Sequence, residues 1–271
     1  MNNLSISFTN REINSFLERT NVGKSKISVD FLHSIVSGIF ENIPFQNFSM
    51  LTNDWVRPSV TMIKEDMLSG LGGLCTIRNP FLHEFLRALG FDVRFVSSTI
   101  NEPDCHISLI VKINEEDWWV DVGNGYPYLE PIRLGDNEVK SNWFMQYQLK
   151  SENDRYCVYH KLNGKDWKLN HHFSPLGVDF SVFDRMHELH YSVPGWGPFL
   201  VGLRVNRFWQ NGGVIIRDER ALSPEGEELL DTKYKLKAWL EKWFTCSGFT
   251  DCIDIAQADI VWRNERSKWQ R

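Results

Sequence analysis

The spacing of apolar residues in this sequence changes near Phe91, and this change limits the folds that the chain can adopt. Before that position, apolar side chains recur every three or four residues, as in FLHEFLRAL (residues 81–89), which is the period of an amphipathic helix. After it, apolar and polar residues alternate, as in HISLIVKI (residues 106–113), which is typical of strands. The sequence therefore predicts a helical N-terminal region followed by an antiparallel β region.

Local signals mark the ends of several predicted elements. Asn10 and Ser28 are candidate N-caps, and Pro44 is expected to end the helix that follows Ser28. The dipeptide Asn163-Gly164 lies between two alternating runs and predicts a type I′ hairpin turn, which needs positive φ at both central residues. Capping residues, a proline and a turn dipeptide thus mark where several predicted helices and strands begin or end.

The C-terminal part of the chain mixes strands and helix. SVPGWGP (residues 192–198) is the best candidate for a linker, and alternating runs follow it at 199–209 and 213–222. Ser223-Pro224 is predicted to cap a helix whose later turns carry an apolar face. The order of elements is helical, then β, then mixed, which indicates an α+β protein.

Composition narrows the class of function. The 271 residues include 11 Trp and 18 Phe, which favour a well-packed globular chain over a disordered one. The net charge of −5 comes without a basic block, so nucleic acid is not an expected partner. A polar N-terminus and the lack of a run of about 18 apolar residues disfavour secretion and membrane spanning, and predict a cytoplasmic protein.

The cysteines and histidines do not predict a metal site. Five cysteines form no CxxC pair and suit reduced thiols. Cys246 and Cys252 could be combined with two histidines, but the spacing matches no zinc pattern. Five histidines have no carboxylate placed beside them by strand geometry, and we interpret them as surface or structural residues: His160, His171, His172, His187 and His190.

One hairpin places a histidine beside a carboxylate. If Asn114-Glu115 forms a two-residue turn, or if residues 114–117 form a four-residue turn, the numbers of paired residues sum to 229 or 231. Both sums are odd, as is 106 + 121, so His106 and Asp121 lie on the same face. With the shorter turn they are diagonal neighbours at about 7 to 8 Å between backbones, close enough for their side chains to meet.

A His–Asp pair has two interpretations. It can be a structural pair in a β sheet, or half of a triad in which the carboxylate fixes the tautomer of the imidazole. The candidate nucleophile is Cys75, because Gly72-Gly73 can form a tight turn before it and a helix follows it. The alternative for Cys75 is an inert buried thiol.

Several segments together resemble one enzyme family. LGGLCTIRNPFLHEFLRALGFDVRFV (residues 71–96) is similar to the Arg-Gly-Gly-x-Cys-x-Glu-x-Asn motif of the arylamine N-acetyltransferases. IPFQN (residues 43–47) and HISLIV…WWVDVGNG resemble two further motifs, the second of which carries the His and Asp of that family. Weaker similarity continues through residues 173–180 and 198–222, in the order of the family.

The resemblance implies a fold and a reaction. The fold would comprise an N-terminal helical domain (1–90), a central antiparallel β-barrel domain (91–195) and a C-terminal α/β lid (196–271), around a cysteine-protease-like core. Cys75, His106 and Asp121 would form the catalytic triad. Acetyl-CoA would acetylate the cysteine, and a small-molecule arylamine or hydrazine would then accept the acetyl group in a ping-pong scheme without a metal, as in xenobiotic metabolism.

The sequence departs from the family pattern near the nucleophile. Leu71 and Gln46 replace the Arg and Glu of the motifs, which we interpret as a joint change that leaves no buried charge unpaired. Ile77 replaces the Glu that follows the cysteine, and Pro80 lies where the helix of the relatives continues. We therefore expect Asn79 to cap a helix that starts later, with weaker help from the helix dipole.

Two residues are candidates for binding the acceptor. Asn124 replaces the aromatic residue of the Val-Asp-x-Gly-Phe-Gly motif, and an amide there disfavours a flat apolar ring. Phe45 suits the pocket wall and the core equally. Two other functions stay open, namely a cysteine hydrolase or amide-forming enzyme with the same triad, and a catalytically weak member that binds an acyl-CoA or an aromatic compound.

Overall fold

Five helices before Phe91 in the described part of the chain account for the predicted helical region. The computed structural model of the protein describes residues 4–52 and 55–244. The helices are α1 (Asn10–Arg19), α2 (Val29–Asn42), α3 (Phe48–Thr52), α4 (Val60–Ser69) and α5 (Cys75–Ala88).

The predicted helix ends are confirmed in α2 and shifted in α1. The Ser28 side chain accepts a hydrogen bond from the first turn of α2 at 3.1 Å, and the helix ends shortly before Pro44. The N-cap of α1 is Thr9 and not Asn10. The reason is a capping box, in which the Thr9 hydroxyl accepts from the backbone of Glu12 and the Glu12 carboxylate accepts from the backbone of Thr9.

The alternating region forms one antiparallel sheet of eight strands. Its strand order is β5-β4-β3-β2-β9-β8-β7-β6. The sheet curls into a half-barrel and does not close, because β5 and β6 remain at its two edges. The strands are β2 (Asp92–Thr99), β3 (His106–Ile113), β4 (Glu116–Val120), β5 (Ile132–Arg133), β6 (Lys140–Ser141), β7 (Met145–Glu152), β8 (Arg155–Leu162) and β9 (Lys168–Phe173).

The hairpin turns of this sheet are partly as predicted. Asn114 and Glu115, between β3 and β4, both have positive φ, of 50° and 65°, as a two-residue type I′ turn requires. The turn at Asn163-Gly164 is different, because only Gly164 has positive φ and the connection between β8 and β9 is longer than two residues. The type I′ prediction is therefore wrong there, although the hairpin itself exists.

A second antiparallel sheet of five strands takes one strand from the helical region. Its order is β1-β10-β11-β12-β13, and Phe45 in β1 pairs with Asn206 in β10. The strands are β1 (Phe45–Gln46), β10 (Arg204–Trp209), β11 (Gly212–Arg217), β12 (Arg220–Ser223) and β13 (Gly226–Leu229). The N-terminal and C-terminal parts of the chain are therefore joined by backbone hydrogen bonds.

The helix predicted at Ser223-Pro224 does not form there. Ser223 ends β12, and its hydroxyl accepts a hydrogen bond from the backbone of Glu225, which leads to Gly226 at a φ of 120°. These residues make the β12–β13 hairpin, because Pro suits a tight turn as well as a helix start. The apolar face predicted further on is confirmed in helix α7 (Lys233–Trp243), which is capped by Thr232.

The segment predicted as a linker is a structured bend. It follows a 3₁₀ turn, Phe180–Phe183, and helix α6 (Asp184–Ser192), and it contains a bridge between Pro194 and Gly197. It therefore does more than connect two elements, since three of its residues line a cavity described below.

Apolar packing joins α5 to the large sheet. Buried side chains of α5, including Phe81 and Phe85, lie in the same cluster as Ile107 and Leu109 of β3. A second cluster packs α7 on the small sheet. The division into domains at residues 90 and 195 stays a prediction. Within residues 4–52 and 55–244, none of the helices has the length and apolar character to cross a membrane.

Candidate active site

Cys75 lies at the start of α5, where a glycine loop docks on β1. Gly72 has a φ of 74°, and a Cβ on it would lie 2.0 Å from the carbonyl oxygen of Pro44. The backbone N–H of Gly73 donates to that carbonyl, and its own carbonyl accepts from Gln46, both at 3.3 Å. Only glycine fits this approach, which positions Cys75 at the first turn of the helix.

The helix begins at Cys75 and not after Asn79, so the predicted later start is wrong. Pro80 lies inside α5 and removes the N–H that would bond to the carbonyl of Thr76. Residues 75–79 are all buried, and this packing outweighs the cost of an internal proline, roughly 3 kcal/mol. Cys75 therefore lies at the positive end of the helix dipole.

The hydrogen bond predicted from the hairpin register is present. Leu109 pairs with Val120, so paired numbers sum to 229, as expected for the two-residue turn. The Nε2 atom of His106 lies 2.6 Å from an Asp121 oxygen. The Cys75 side chain is close enough to the imidazole to contribute to the raised pKa of His106. The structure thus pairs His106 with Asp121 and brings Cys75 and His106 to the same cavity.

Asn79 connects the nucleophile helix to the loop that carries the carboxylate. Its side-chain amide donates to Asp121 at 2.9 Å and to the carbonyl of Ile107 at 2.6 Å, and its oxygen accepts from the backbone of Val122 at 3.0 Å. The second donor to the same carboxylate oxygen is the backbone of Gly123, at 2.9 Å. The Asp121 carboxylate is therefore held by α5 and by its own loop.

The electrostatics favour a charged pair in a dry site. His106 and Asp121 are 2% and 1% exposed. Burial alone would lower the pKa of His106, but the Asp121 carboxylate, its hydrogen bond and the neighbouring Cys75 side chain raise it well above the ordinary value. Burial would raise the pKa of Asp121, but the charge and hydrogen bond of His106 lower it. The imidazolium and the carboxylate stabilise each other.

Arg78 is a fully buried cation next to this pair. Its Nε donates to the carbonyl of Val122 and its Nη1 to the carbonyl of Ile43, both at 2.5 Å. Burial lowers the pKa of Arg78 to about 9, and the charge of Asp121 acts in the opposite direction. The guanidinium therefore stays charged at neutral pH and ties the Asp121 loop to the chain before β1.

A second histidine packs behind the triad. The ring of His171 lies 5.4 Å from that of His106 in an edge-to-face arrangement. Its Nδ1 contacts Asn170 at 2.6 Å, and burial followed by the charge of His106 lowers its pKa to about 3. The interpretation of His171 as structural agrees with this neutral, buried ring, but its position against His106 was not predicted.

A cavity of about 360 Å³ opens over Cys75 and His106. Both predicted acceptor-binding residues line it. Phe45 is also buried in a small apolar cluster, so it serves the pocket wall and the core together. The Asn124 amide donates to Asn170 at 3.0 Å and lies 3.5 Å from His106 Nε2. Their roles in binding stay predictions.

Comparison with known proteins identifies the family. A sequence model described as N-acetyltransferase matches residues 28–245. The chain belongs to the arylamine N-acetyltransferase family. An arylamine N-acetyltransferase of Escherichia coli (strain K12) is 28% identical over 172 residues, which cover 59% of this chain and 57% of that protein. The match thus spans little more than half the length of this relative.

Solved structures of the family share the fold. The arylamine N-acetyltransferase of Salmonella typhimurium superposes with a TM-score of 0.82 at 19% identity, over 95% of this chain and all of that one. The Mycobacterium marinum enzyme, in a complex with CoA, gives a TM-score of 0.82 at 20% identity, over 93% of this chain and 99% of that one. At this identity the likeness establishes the fold alone.

Two departures from the family motifs are accommodated without a buried charge. Gln46 forms hydrogen bonds with the side chain and backbone of Ser49, both at 3.1 Å. Leu71 lies in the apolar cluster with Phe48 and Leu203. The amide of Gln46 and the aliphatic side chain of Leu71 are therefore both accommodated by their neighbours, which agrees with the predicted joint change.

Sequence reasoning missed several residues of this site. Asn79 matches the Asn of the family motif, which was a usable signal for its role beside Asp121. His190 and Cys105 line the cavity, as do Asn170 and Asn206, and no local pattern marks them. Within the described ranges no group of three His, Cys, Asp or Glu residues could hold a metal ion. Cys246 and Cys252 lie outside those ranges.

Proposed function

We propose that the chain transfers an acetyl group from acetyl-CoA to a small amine through an acetyl-Cys75 intermediate. The observation that carries this proposal is that Cys75, at a helix N-terminus, and His106, paired with Asp121 at 2.6 Å, line the same cavity. Membership in the arylamine N-acetyltransferase family supports the choice of acyl donor.

In the first half-reaction the Cys75 thiolate attacks the thioester carbonyl of acetyl-CoA. The bond from sulfur to the carbonyl carbon forms, the carbonyl oxygen takes the negative charge, and the bond to the sulfur of coenzyme A then breaks. His106, which is protonated at neutral pH, gives its proton to the leaving thiolate. Free coenzyme A and acetyl-Cys75 remain.

In the second half-reaction His106 is neutral and acts as a base. An amine attacks the acetyl carbonyl, His106 removes the proton from the nitrogen, and the Cys75 thiolate leaves. The imidazolium is restored beside Asp121, which stabilises it at 2.6 Å. The products are the acetamide and the enzyme in its starting ionic state.

The negative oxygen of each tetrahedral intermediate needs nearby donors. The backbone N–H of Gly123 is already used by Asp121 at 2.9 Å and is not free for this role. The N–H groups of Cys75 and Thr76 are in the first turn of α5, where helical N–H groups lack intrahelical acceptors. These two donors are the candidates for the oxyanion hole.

The proposal is tested by mass spectrometry of the intact protein mixed with acetyl-CoA. We expect one acetyl adduct on Cys75, discharged by an added amine faster than by water alone. Cys75→Ala should form no adduct. Cys105→Ala is the matched control, because Cys105 lines the same cavity and its loss should leave the adduct in place.

Other outcomes assign the chain to another function. Rapid loss of the acetyl group to water, unchanged by amines, would identify a cysteine hydrolase. No adduct, together with alkylation of Cys75 by iodoacetamide no faster than that of the buried Cys157, would indicate a weak or inactive family member. Either result would overturn acetyl transfer to an amine.

A further inference from the structure

His190 has hydrogen-bonding capacity that the protein does not use. Its side chain is 7% exposed and lines the cavity that contains Cys75 and His106. Neither ring nitrogen has a hydrogen-bond partner among residues 4–52 and 55–244, and Nδ1 is sealed from solvent. Buried polar groups in native proteins are nearly always paired, so an unpaired imidazole that lines a cavity is a candidate to bind a molecule there.

The position of this ring is set by two ring contacts and by the anchoring of its helix. Trp196 meets it edge to face at 4.6 Å, and Phe199 lies 5.3 Å away. The next residue, Tyr191, is within hydrogen-bond distance of the Thr76 hydroxyl at 2.8 Å, which anchors α6 to the helix of the nucleophile. His190 is therefore held at a fixed place relative to Cys75.

The ring is neutral and presents a donor to the cavity. Burial, followed by the charges of His187 and His106, lowers the pKa of His190 to about 3. A neutral imidazole carries a single N–H. Nδ1 is sealed from solvent without an acceptor, whereas Nε2 of this cavity-lining ring is not among the sealed unpaired atoms, so the N–H is placed at lower cost on Nε2. An oxygen atom is the natural partner for Nε2–H.

The lining of the cavity is polar at two other residues as well. Asn170 already uses its side-chain oxygen to contact Asn124 and His171, which leaves its NH₂ group without a partner among the described residues. Asn206 donates to the carbonyl of Gly125 at 2.7 Å, and its own oxygen has no partner in the part of the chain that the structure describes. A ring lying against Trp196 and Phe199 would thus meet donors and acceptors at its edges and not an apolar surface.

We propose that Nε2 of His190 donates a hydrogen bond to an oxygen substituent on the ring of the acyl acceptor, so that hydroxy-aromatic or carboxy-aromatic amines are preferred over unsubstituted or alkylated ones. This inference rests on the proposed acetyl transfer and names the class of acceptor for it. His190 acts on specificity and takes no part in the proton transfers of His106.

The test compares two acceptors of similar size, 4-aminophenol and 4-methylaniline, by their kcat/KM values with acetyl-CoA as donor. In the wild type the ratio should favour 4-aminophenol. In His190→Phe, which keeps the ring contacts but loses the donor, the ratio should fall about 5- to 10-fold, as expected for one hydrogen bond. His190→Gln, which retains a donor, should recover part of the preference for 4-aminophenol.

His187→Phe is the matched control. His187 is a buried histidine on the same helix whose Nδ1 also lacks a partner, but it does not line the cavity. Its replacement should leave the acceptor ratio unchanged. An unchanged ratio in His190→Phe, or an equal fall in His187→Phe, would overturn the inference.

Failure of the inference can be separated from failure of the proposed function. Acetylation of Cys75 by acetyl-CoA is measured first, and its absence in the wild type contradicts acetyl transfer itself. If the adduct forms and the acceptor ratio does not depend on His190, only the inference fails. Should His190→Phe not fold, ¹⁵N NMR of the wild-type histidine rings decides, since the His190 Nε2 signal should shift with 4-aminophenol but not with 4-methylaniline.

Discussion

Gly123 lies against Cys75 so closely that a Cβ on the glycine would come 2.6 Å from the Cα of the cysteine. The same Cβ would lie 2.6 Å from the Asn79 amide. The loop after Asp121 and the first turn of α5 therefore meet backbone to backbone. This contact places the imidazole of His106 within reach of the thiol, because the loop also carries the carboxylate that orients the ring.

Gly123→Ala should move Cys75 in α5 away from His106 and Asp121. The added methyl group must displace α5 or the loop, and displacements of about 1 Å cost on the order of 100-fold in rate. We expect acetylation of Cys75 to slow by that order and stability to fall by about 1 to 3 kcal/mol. Gly23→Ala is the control, because a Cβ there has nothing within 4 Å. Normal acetylation in Gly123→Ala would contradict the role of this contact.

Asp121→Asn should reverse the pKa shift of His106. With the carboxylate present, the pKa lies well above its usual value, so the ring is charged at neutral pH. Without it, burial dominates and lowers the pKa, so the ring becomes neutral. NMR titration of the ring protons measures the change. Asp117→Asn, in a surface ion pair with Arg94, should leave the titration as in the wild type.

The pKa shifts of His106 and Asp121 determine in which direction the free energy of unfolding changes with pH. A raised pKa of His106 in the folded state contributes stability that is fully present below the unfolded value, near 6.5, and is lost as the pH rises through the folded value. A lowered pKa of Asp121 contributes stability above its unfolded value, near 3.8, and this is lost as the pH falls through the folded value. Asp121→Asn should remove both contributions.

Arg78→Met should destabilise the fold strongly. The carbonyls of Val122 and Ile43 would lose their donors while remaining buried, and each unsatisfied group costs about 1 to 3 kcal/mol. We expect a loss of about 2 to 5 kcal/mol in urea unfolding. Arg87→Met, in the last turn of the same helix and largely exposed, should cost less than about 1 kcal/mol. Equal losses would show that the buried hydrogen bonds contribute little.

Acid should destabilise the protein through histidines that are buried in the neutral form. Burial and the charge of Arg57 lower the pKa of His187 to about 4. Below about 6.5 the unfolded chain binds a proton that the folded chain does not, so stability falls with pH by up to about 1.4 kcal/mol per unit for this group. The fall levels off below the folded value.

His187→Phe should flatten this dependence between pH 6 and 4.5, measured as the free energy of urea unfolding at each pH. His33→Phe replaces an exposed histidine and should leave the slope unchanged. If the slope of His187→Phe equals that of the wild type, His187 is not the group that titrates.

The hairpin shows how far local information reaches. The turn at Asn114-Glu115 and the alternation of β3 and β4 depend on residues near one another in the sequence, so the register and the meeting of His106 with Asp121 could be predicted. The predicted N-cap of α1 was wrong by one residue, because Thr9 and not Asn10 caps that helix. Proline was misleading twice, at Pro80 and at Pro224, because its local preference is compatible with several structures and packing decides among them.

The helical and β regions, the register of the hairpin and, through shared motifs, the three residues predicted to form the triad could be inferred from the amino-acid sequence. Only the tertiary structure decided that Asn79 binds Asp121, that β1 joins the C-terminal sheet, and that His190 lines the cavity with its nitrogens unpaired. The reason for this difference is how far apart in the sequence the interacting residues lie. Turns and periodicity are set by neighbours along the chain, whereas the shape and polarity of a cavity depend on how distant elements pack.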